Sequence, residues 1–465
     1  MNTRSFYSTI LQEARACLTL AIPLSLAQLL EISMLSVDTW TMGMLGSKAL
    51  AGGALGYMTF RFLFTLGIYT LSAVNTIASI AFGSRQFDKL KGITTQGFYL
   101  ALLLALPMML ILSSAPLWMN FLHQEKMVIY QSQSYLKAVL WGLPALFCFE
   151  VLRNVLIAVN SSVIIPIILV SSIPINAVGN YIFAFGKLGF PELGIAGIGW
   201  STALVLWIQL LVILSFTYLS PKLKSYKLLS HNIKSDPSIF QELIRVGSAS
   251  GLLYISAGGL AVVSTYLMGS LGTVPLAAFQ IANQVRSMIR AFTVGLAQSI
   301  TARVAQMYGE EDVEKVRISG FVGMMISVLF ALTFLLLVAL GRTYIVSLFL
   351  KPESTIDLEV FDLSMSLLLI VASMQLFNEI DTAATGALLG IKDTFQPMLI
   401  GLLGYWGLGL GSICLMLFKF HLGASGVMIG LHFGVFIQAV VFPLRFYAKT
   451  THMLPVSSTL SVLKH

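Results

Sequence analysis

The sequence predicts an all-α integral membrane protein with twelve transmembrane helices in two parallel six-helix lobes, and three observations carry that prediction. Hydrophobic residues make up 57% of the 465 positions and charged residues 10%, where a soluble domain is roughly a quarter charged. Long apolar runs recur from end to end, and each crossing of a hydrocarbon core near 30 Å takes about 20 residues. The two halves of the chain repeat one another at an offset of 226 residues.

The apolar runs fall at 17–45, 50–81, 94–121, 134–159, 163–186, 193–219, 240–270, 275–307, 319–350, 359–389, 394–418 and 422–447. Lipid offers the backbone no hydrogen-bond partner, so runs this long are helices. The first is too long for a signal-peptide core and is expected to remain as helix one. With both termini and the even-numbered gaps placed on one side, that side holds 17 Lys and Arg residues and the other 7. The positive-inside bias therefore puts both termini in the cytoplasm. The remaining four of the 28, Arg61, Arg153, Arg286 and Arg290, are read as intramembrane residues and counted on neither side.

The longest polar stretch, 220–239, lies near the midpoint and is read as a cytoplasmic linker between an N-lobe of residues 1–219 and a C-lobe of residues 240–465. Sliding the chain by 226 positions lays VDTWTMGMLG, Val37 to Gly46, over VSTYLMGSLG, Val263 to Gly272, with most positions identical. The same register places Leu50 on Leu276, Ala51 on Ala277 and Gly83 on Gly309. Six helices per repeat is an even number, so both halves enter the membrane in the same direction. Parallel repeats of this kind are a transporter architecture, with alternating access between the lobes.

Other function classes find little support. The net charge of +8 is scattered through short loops without a basic stripe, which excludes a nucleic-acid surface. Cys17, Cys148 and Cys414 lie in apolar runs with no CxxC spacing, and of the six histidines only His432 does. No nucleophile, zinc or phosphate-loop motif is present, so no enzyme activity, resident cofactor or structural metal is expected.

An ionisable residue at membrane depth costs about 3 kcal/mol or more, and survives where it is paired or faces water. Asp38 lies deep in helix one, its repeat mate is the neutral Ser264, and Glu31 seven residues earlier lies near the same helical face. Such a carboxylate pair suits a coupling proton or sodium ion. Asn176 and Asn180 share a face of helix five at i,i+4 and add neutral oxygens, so a sodium ion at Asp38, Asn176 and Asn180 is the one metal site the residues suggest. Pro174 beside them predicts a bent helix with a locally opened backbone. Glu150 and Arg153, three apart, predict an intrahelical ion pair. Arg286 and Arg290, four apart, predict partners in Glu379 or Asp381, because a buried charge demands one.

These segments also resemble a family. SVDTWTMGMLG in helix one, INAVGNYIFAFGKLGFPELGIAGIG from helix five into six, and PLAAFQIANQV and SITARVAQMYG in helix eight are similar to the multidrug and toxic compound extrusion (MATE) transporters of the bacterial NorM-like kind, over nearly the whole chain. The resemblance implies two lobes forming a V, a central cavity, and antiport of drug-like organic cations against protons or sodium ions. It also implies a bacterial inner membrane; a monomer is expected, though not from the resemblance. Asp38 matches the family's helix-one carboxylate, Asn176 and Asn180 its helix-five polar pair, and Gln280 the glutamine of its AAHQIA-like stretch; Gln280, Arg286, Glu379 and Asp381 become substrate-cavity candidates. The second lobe departs from the pattern: Ala257 stands where many members have a helix-seven glutamate, and the helix-ten aspartate position falls near Asn378. Coupling is therefore expected through the first lobe. The alternative is a flippase for a lipid-linked precursor in the same wider superfamily, in which Arg61, Arg286 and Arg290 would meet a pyrophosphate.

Overall fold

The computed structural model describes residues 3–121, 124–229, 236–350 and 354–453, with side chains from residue 7 onward. The side chain of Arg4, and His123, His231, Lys234, Lys351, Lys464 and His465, lie outside the described residues, as do residues 230–235 of the expected linker. Among the described residues twelve long helices follow in order: α1 Thr3–Met44, α2 Ser47–Gly83, α3 Phe87–Ser113, α4 Lys126–Ala158, α5 Ile164–Phe185, α6 Ile195–Leu219, α7 Pro237–Ser270, α8 Thr273–Gly309, α9 Val313–Ser347, α10 Thr355–Gly390, α11 Phe395–Lys419 and α12 Gly423–Thr451. Strands are absent among the described residues.

Eleven of the twelve are long and apolar enough to cross a membrane. The exception, α8, has the length at 37 residues, but Gln280, Asn283, Gln284, Arg286 and Arg290 crowd onto three of its turns. Several helices outrun their apolar cores. At 42 residues, α1 is about 63 Å long at 1.5 Å per residue, twice the hydrocarbon thickness. Its polar extension has specific partners: Arg303 holds Glu13 with two bonds, 2.7 and 3.2 Å, and Ser319 donates to the same carboxylate at 2.8 Å.

Local signals explain the boundaries. Asp236 accepts from the Ser238 backbone N–H at 2.9 Å and Pro237 opens α7, the expected cap and first-turn proline. Ser354 and Asp357 form a reciprocal capping box at the start of α10. The α1–α2 and α7–α8 turns pivot on Gly46 at φ 105° and Gly272 at φ 121°, a region that glycine enters without a Cβ penalty. These glycines are repeat mates. Arg85 at φ 56° and Glu311 at φ 60°, after α2 and α8, are mates in the same register, so the repeat extends to backbone conformation.

The chain forms two compact units: the first is Leu26–Gly251, and the second is Met1–Ser25 with Leu252–His465. The division therefore falls inside α1 and inside α7, at positions 226 residues apart, and not in the 220–239 linker. Each repeat gives the opening part of its first helix to the unit built from the rest of the other. The first unit packs around Leu71, Val74, Ile77, Leu90, Phe147 and Leu152. Within the second, the cores form around Leu260, Phe279, Leu367 and Val427, and around Ile300, Val304, Ala384 and Phe446.

Small residues set the close helix approaches. In the first unit a Cβ on Gly197 of α6 would stand 2.4 Å from the Phe183 carbonyl carbon of α5 and 2.5 Å from its oxygen. Backbone leaves no room to yield, so Gly197→Ala is expected to destabilise the protein by about 1–3 kcal/mol through overpacking. Gly43→Ala, where a Cβ meets nothing within 4 Å, is expected to be neutral or stabilising. Thermal unfolding of the two purified variants checks the contrast; equal melting would overturn it.

Candidate functional site

The close α5–α6 packing brings together a polar cluster in the first unit. Asp38 projects from α1, Asn176 and Asn180 from successive turns of α5, and Thr202 from α6, and all four are buried. Asn180 Nδ2 donates to Asp38 Oδ1 at 2.8 Å, and Thr202 Oγ1 donates to Asp38 Oδ2 at 3.0 Å. Asn180 Nδ2 also lies 3.4 Å from Asn176 Oδ1 and 3.5 Å from Thr41 Oγ1. Among the described residues, the hydrogen bonds to this buried carboxylate come from neutral donors. Asn180 Oδ1 and Asn176 Nδ2 are buried without a hydrogen-bond partner among the described residues, so one oxygen acceptor remains free beside the acid.

Pro174 does not interrupt α5, which runs unbroken from Ile164 to Phe185. The ring removes one i→i−4 donor from the middle of this helix. The site's geometry rests on continuous helices.

Glu31 does not join Asp38 in this cluster. It enters a separate network: Arg153 Nη1 donates to Glu31 Oε1 and to Glu150 Oε1, each at 3.0 Å. The side chain of Arg153 is 2% exposed and that of Glu31 is 40% exposed. The intrahelical Glu150–Arg153 pair is present, and the third member comes from α1. An arginine carries five N–H donors in a planar fork, so one carboxylate on its own helix leaves capacity for a second.

In the second unit the predicted partners sort differently. Glu379 is fully buried; its Oε1 accepts from Gln375 Nε2 at 2.9 Å and is also bonded to Thr293 Oγ1. Arg286 does not meet Glu379 or Asp381; its Nε donates to Asn283 Oδ1 at 2.9 Å, one turn away on α8. Arg286, Arg290 and Asp381 line a cavity of about 100 Å³, together with His432 and Tyr405. Gln280 lies on the exposed face of α8, outside this lining, and Arg61 is exposed on α2. No group of three or more His, Cys, Asp or Glu side chains is arranged to hold a metal ion among the described residues.

Thr202 and Thr41 were not legible as site residues: a threonine in a transmembrane helix ordinarily bonds its own i−4 carbonyl, and nothing local separates Thr202 from the others. The Arg153–Glu31 contact, 122 positions apart, had no local signal either.

Two repeats of six membrane helices, with buried carboxylates held inside the units, define a polytopic helical membrane protein of the duplicated, two-lobe class. The chain belongs to the MatE family, whose profile matches residues 23–182 and 253–413. It is 33% identical over 443 residues to a probable multidrug resistance protein NorM of a Synechococcus species, covering 95% of each chain. A protein of the same description from Pseudomonas aeruginosa is 33% identical over 449 residues, covering 96% of this chain and 92% of the relative. Among solved structures, the fold is similar to that of an outward-facing multidrug resistance MATE family transporter, with a TM-score of 0.85 at 19% identity and coverage of 95% and 96%. A MATE protein in a bent conformation also gives a TM-score of 0.85, at 18% identity and coverage of 96% and 98%.

Proposed function

We propose that this protein is a secondary active multidrug antiporter of the inner membrane, with both termini cytoplasmic, that exports organic cations against a proton or sodium gradient by alternating access. The relatives named as multidrug resistance proteins support the substrate class. The observation that supports the coupling role is the buried Asp38 carboxylate, which is hydrogen-bonded to the neutral groups of Asn180 and Thr202 and has no ion-pair partner among the described residues. With no Lys or Arg paired to it among the described residues, this acid is a place for a cation to arrive.

Thr202 explains how the cluster tolerates both states of Asp38. Its hydroxyl oxygen is 3.0 Å from Asp38 Oδ2 and 3.0 Å from the Ile198 carbonyl, but it owns one proton. With Asp38 ionised, the hydroxyl donates to the carboxylate. With Asp38 protonated, it turns to Ile198 and accepts from the acid. A sodium ion would instead draw on Asp38 and the free Asn180 Oδ1. Coupling follows from linkage: ion and drug stabilise different arrangements of the units, and each shifts the population away from the other.

Ethidium efflux from liposomes containing the purified protein tests this reading. An imposed pH gradient and an imposed sodium gradient, applied separately, are expected to give export under one of them, which identifies the coupling ion. Export under neither would overturn the proposal and move attention to lipid-linked substrates.

A further inference from the structure

The second unit's cavity is built unlike the Asp38 cluster. Its charged lining consists of Arg286 and Arg290 from α8 and Asp381 from α10. Arg286 spends one of its five N–H donors on Asn283, and no carboxylate lies within 4 Å of its guanidinium among the described residues. Asp381 lines the same cavity but does not bond Arg286, and a buried guanidinium with no acid in direct contact favours an external counter-ion.

The same lining presents acceptors. His432 is buried, and its Nδ1 lies 2.8 Å from the Met428 carbonyl; donating there in the neutral ring leaves Nε2 as a lone pair, and Nε2 has no partner among the described residues. Gln438 Oε1 and Asp381 Oδ1 are likewise buried and unpartnered. Three acceptors therefore share a cavity with a donor fork. Tyr405, which also lines it, sits in the π-helical turn Leu403–Gly409 of α11, a backbone form that collects at functional sites. A cavity of about 100 Å³ compares with roughly 150 Å³ for one that holds a benzene, so a group the size of a carboxylate fits.

We infer that this cavity is a binding site for an anionic oxygen group, a carboxylate or phosphate, gripped by Arg286, with any N–H or O–H donor of the same ligand directed to His432, Gln438 and Asp381. The bidentate match between guanidinium and carboxylate supplies both geometry and strength. The inference concerns the second unit alone and stands whether or not Asp38 is the coupling residue.

The test is line broadening of ¹³C-acetate with the full-length protein in nanodiscs of purely zwitterionic lipid, with the neutral isostere acetamide as control. Saturable broadening is expected for acetate and not for acetamide. Arg286→Gln is expected to weaken it about 10-fold or more, the usual worth of a charged hydrogen bond. Arg286→Lys is expected to retain part of it, because charge survives and the fork does not. Asp381→Asn is expected to act in the opposite direction and tighten binding, which separates a site effect from general misfolding. Adding an anionic phospholipid to the nanodiscs distinguishes the sources: displacement of acetate marks a lipid phosphate as the occupant, and unchanged binding marks a soluble anion. Acetate that does not bind the wild type saturably, or that binds Arg286→Gln as it binds the wild type, would overturn the inference.

Discussion

Asp38→Asn is expected to lower gradient-driven ethidium export in liposomes by roughly 5- to 150-fold, the span of a typical coupling free energy, while downhill dye movement persists. The substitution keeps the size of the side chain and removes its ionisable group. It also converts one of the two acceptors into a donor: Asn180 and Thr202 each donate to a different oxygen of Asp38, and an asparagine offers one oxygen only. The Thr202 hydroxyl adapts by turning to Ile198, at 3.0 Å, so the fold is expected to survive. Measuring uphill and downhill transport on the same proteoliposomes separates lost coupling from lost protein. Normal uphill export by the variant would sink the assignment of coupling to Asp38.

Arg153→Met is expected to destabilise the protein by about 3–5 kcal/mol, the usual cost of breaking a buried ionic network from one side. Both Glu31 and Glu150 depend on the same Nη1, each at 3.0 Å, so one substitution leaves two carboxylates without their cation. Glu150 carries most of the penalty, since its side chain is 5% exposed against 40% for Glu31. The companion experiment neutralises both acids: Glu31→Gln and Glu150→Gln added to Arg153→Met are expected to recover most of the loss, because a neutral set of similar volume carries no unpaired charge. Thermal unfolding in detergent reads both steps. A single variant that melts with the wild type would show that the network contributes nothing to stability.

How far the sequence spoke differs between elements. The apolar runs mark every long helix, because hydrocarbon admits little else, yet they give the helix lengths poorly. A helix continues into water with polar residues, as α1 does to reach Glu13 and its partner Arg303. The helix with the most polar face, α8, is the one whose apolarity falls short. At the site, Asp38, Asn176 and Asn180 were legible because a buried acid and an i,i+4 amide pair stand out against an apolar background. Their mutual contact was only an expectation until α5 and α6 were seen to pack closely enough to bring Asn180 and Thr202 onto the same carboxylate.

By itself, then, the sequence determined that this chain lies in a membrane, that it is a duplicated six-helix repeat, and which few polar residues stand within the apolar runs. Composition and periodicity determine these, and both are local or additive along the chain. Only the tertiary structure decided the partners: that Glu31 goes to Arg153 and not to Asp38, that Thr202 completes the Asp38 cluster, that Arg286 bonds Asn283 and not an acid, and that the units divide within α1 and α7. The physical reason is that a buried charge is satisfied by whichever group the helix packing brings within about 3 Å, and side chains more than a hundred residues apart leave no local trace of that choice.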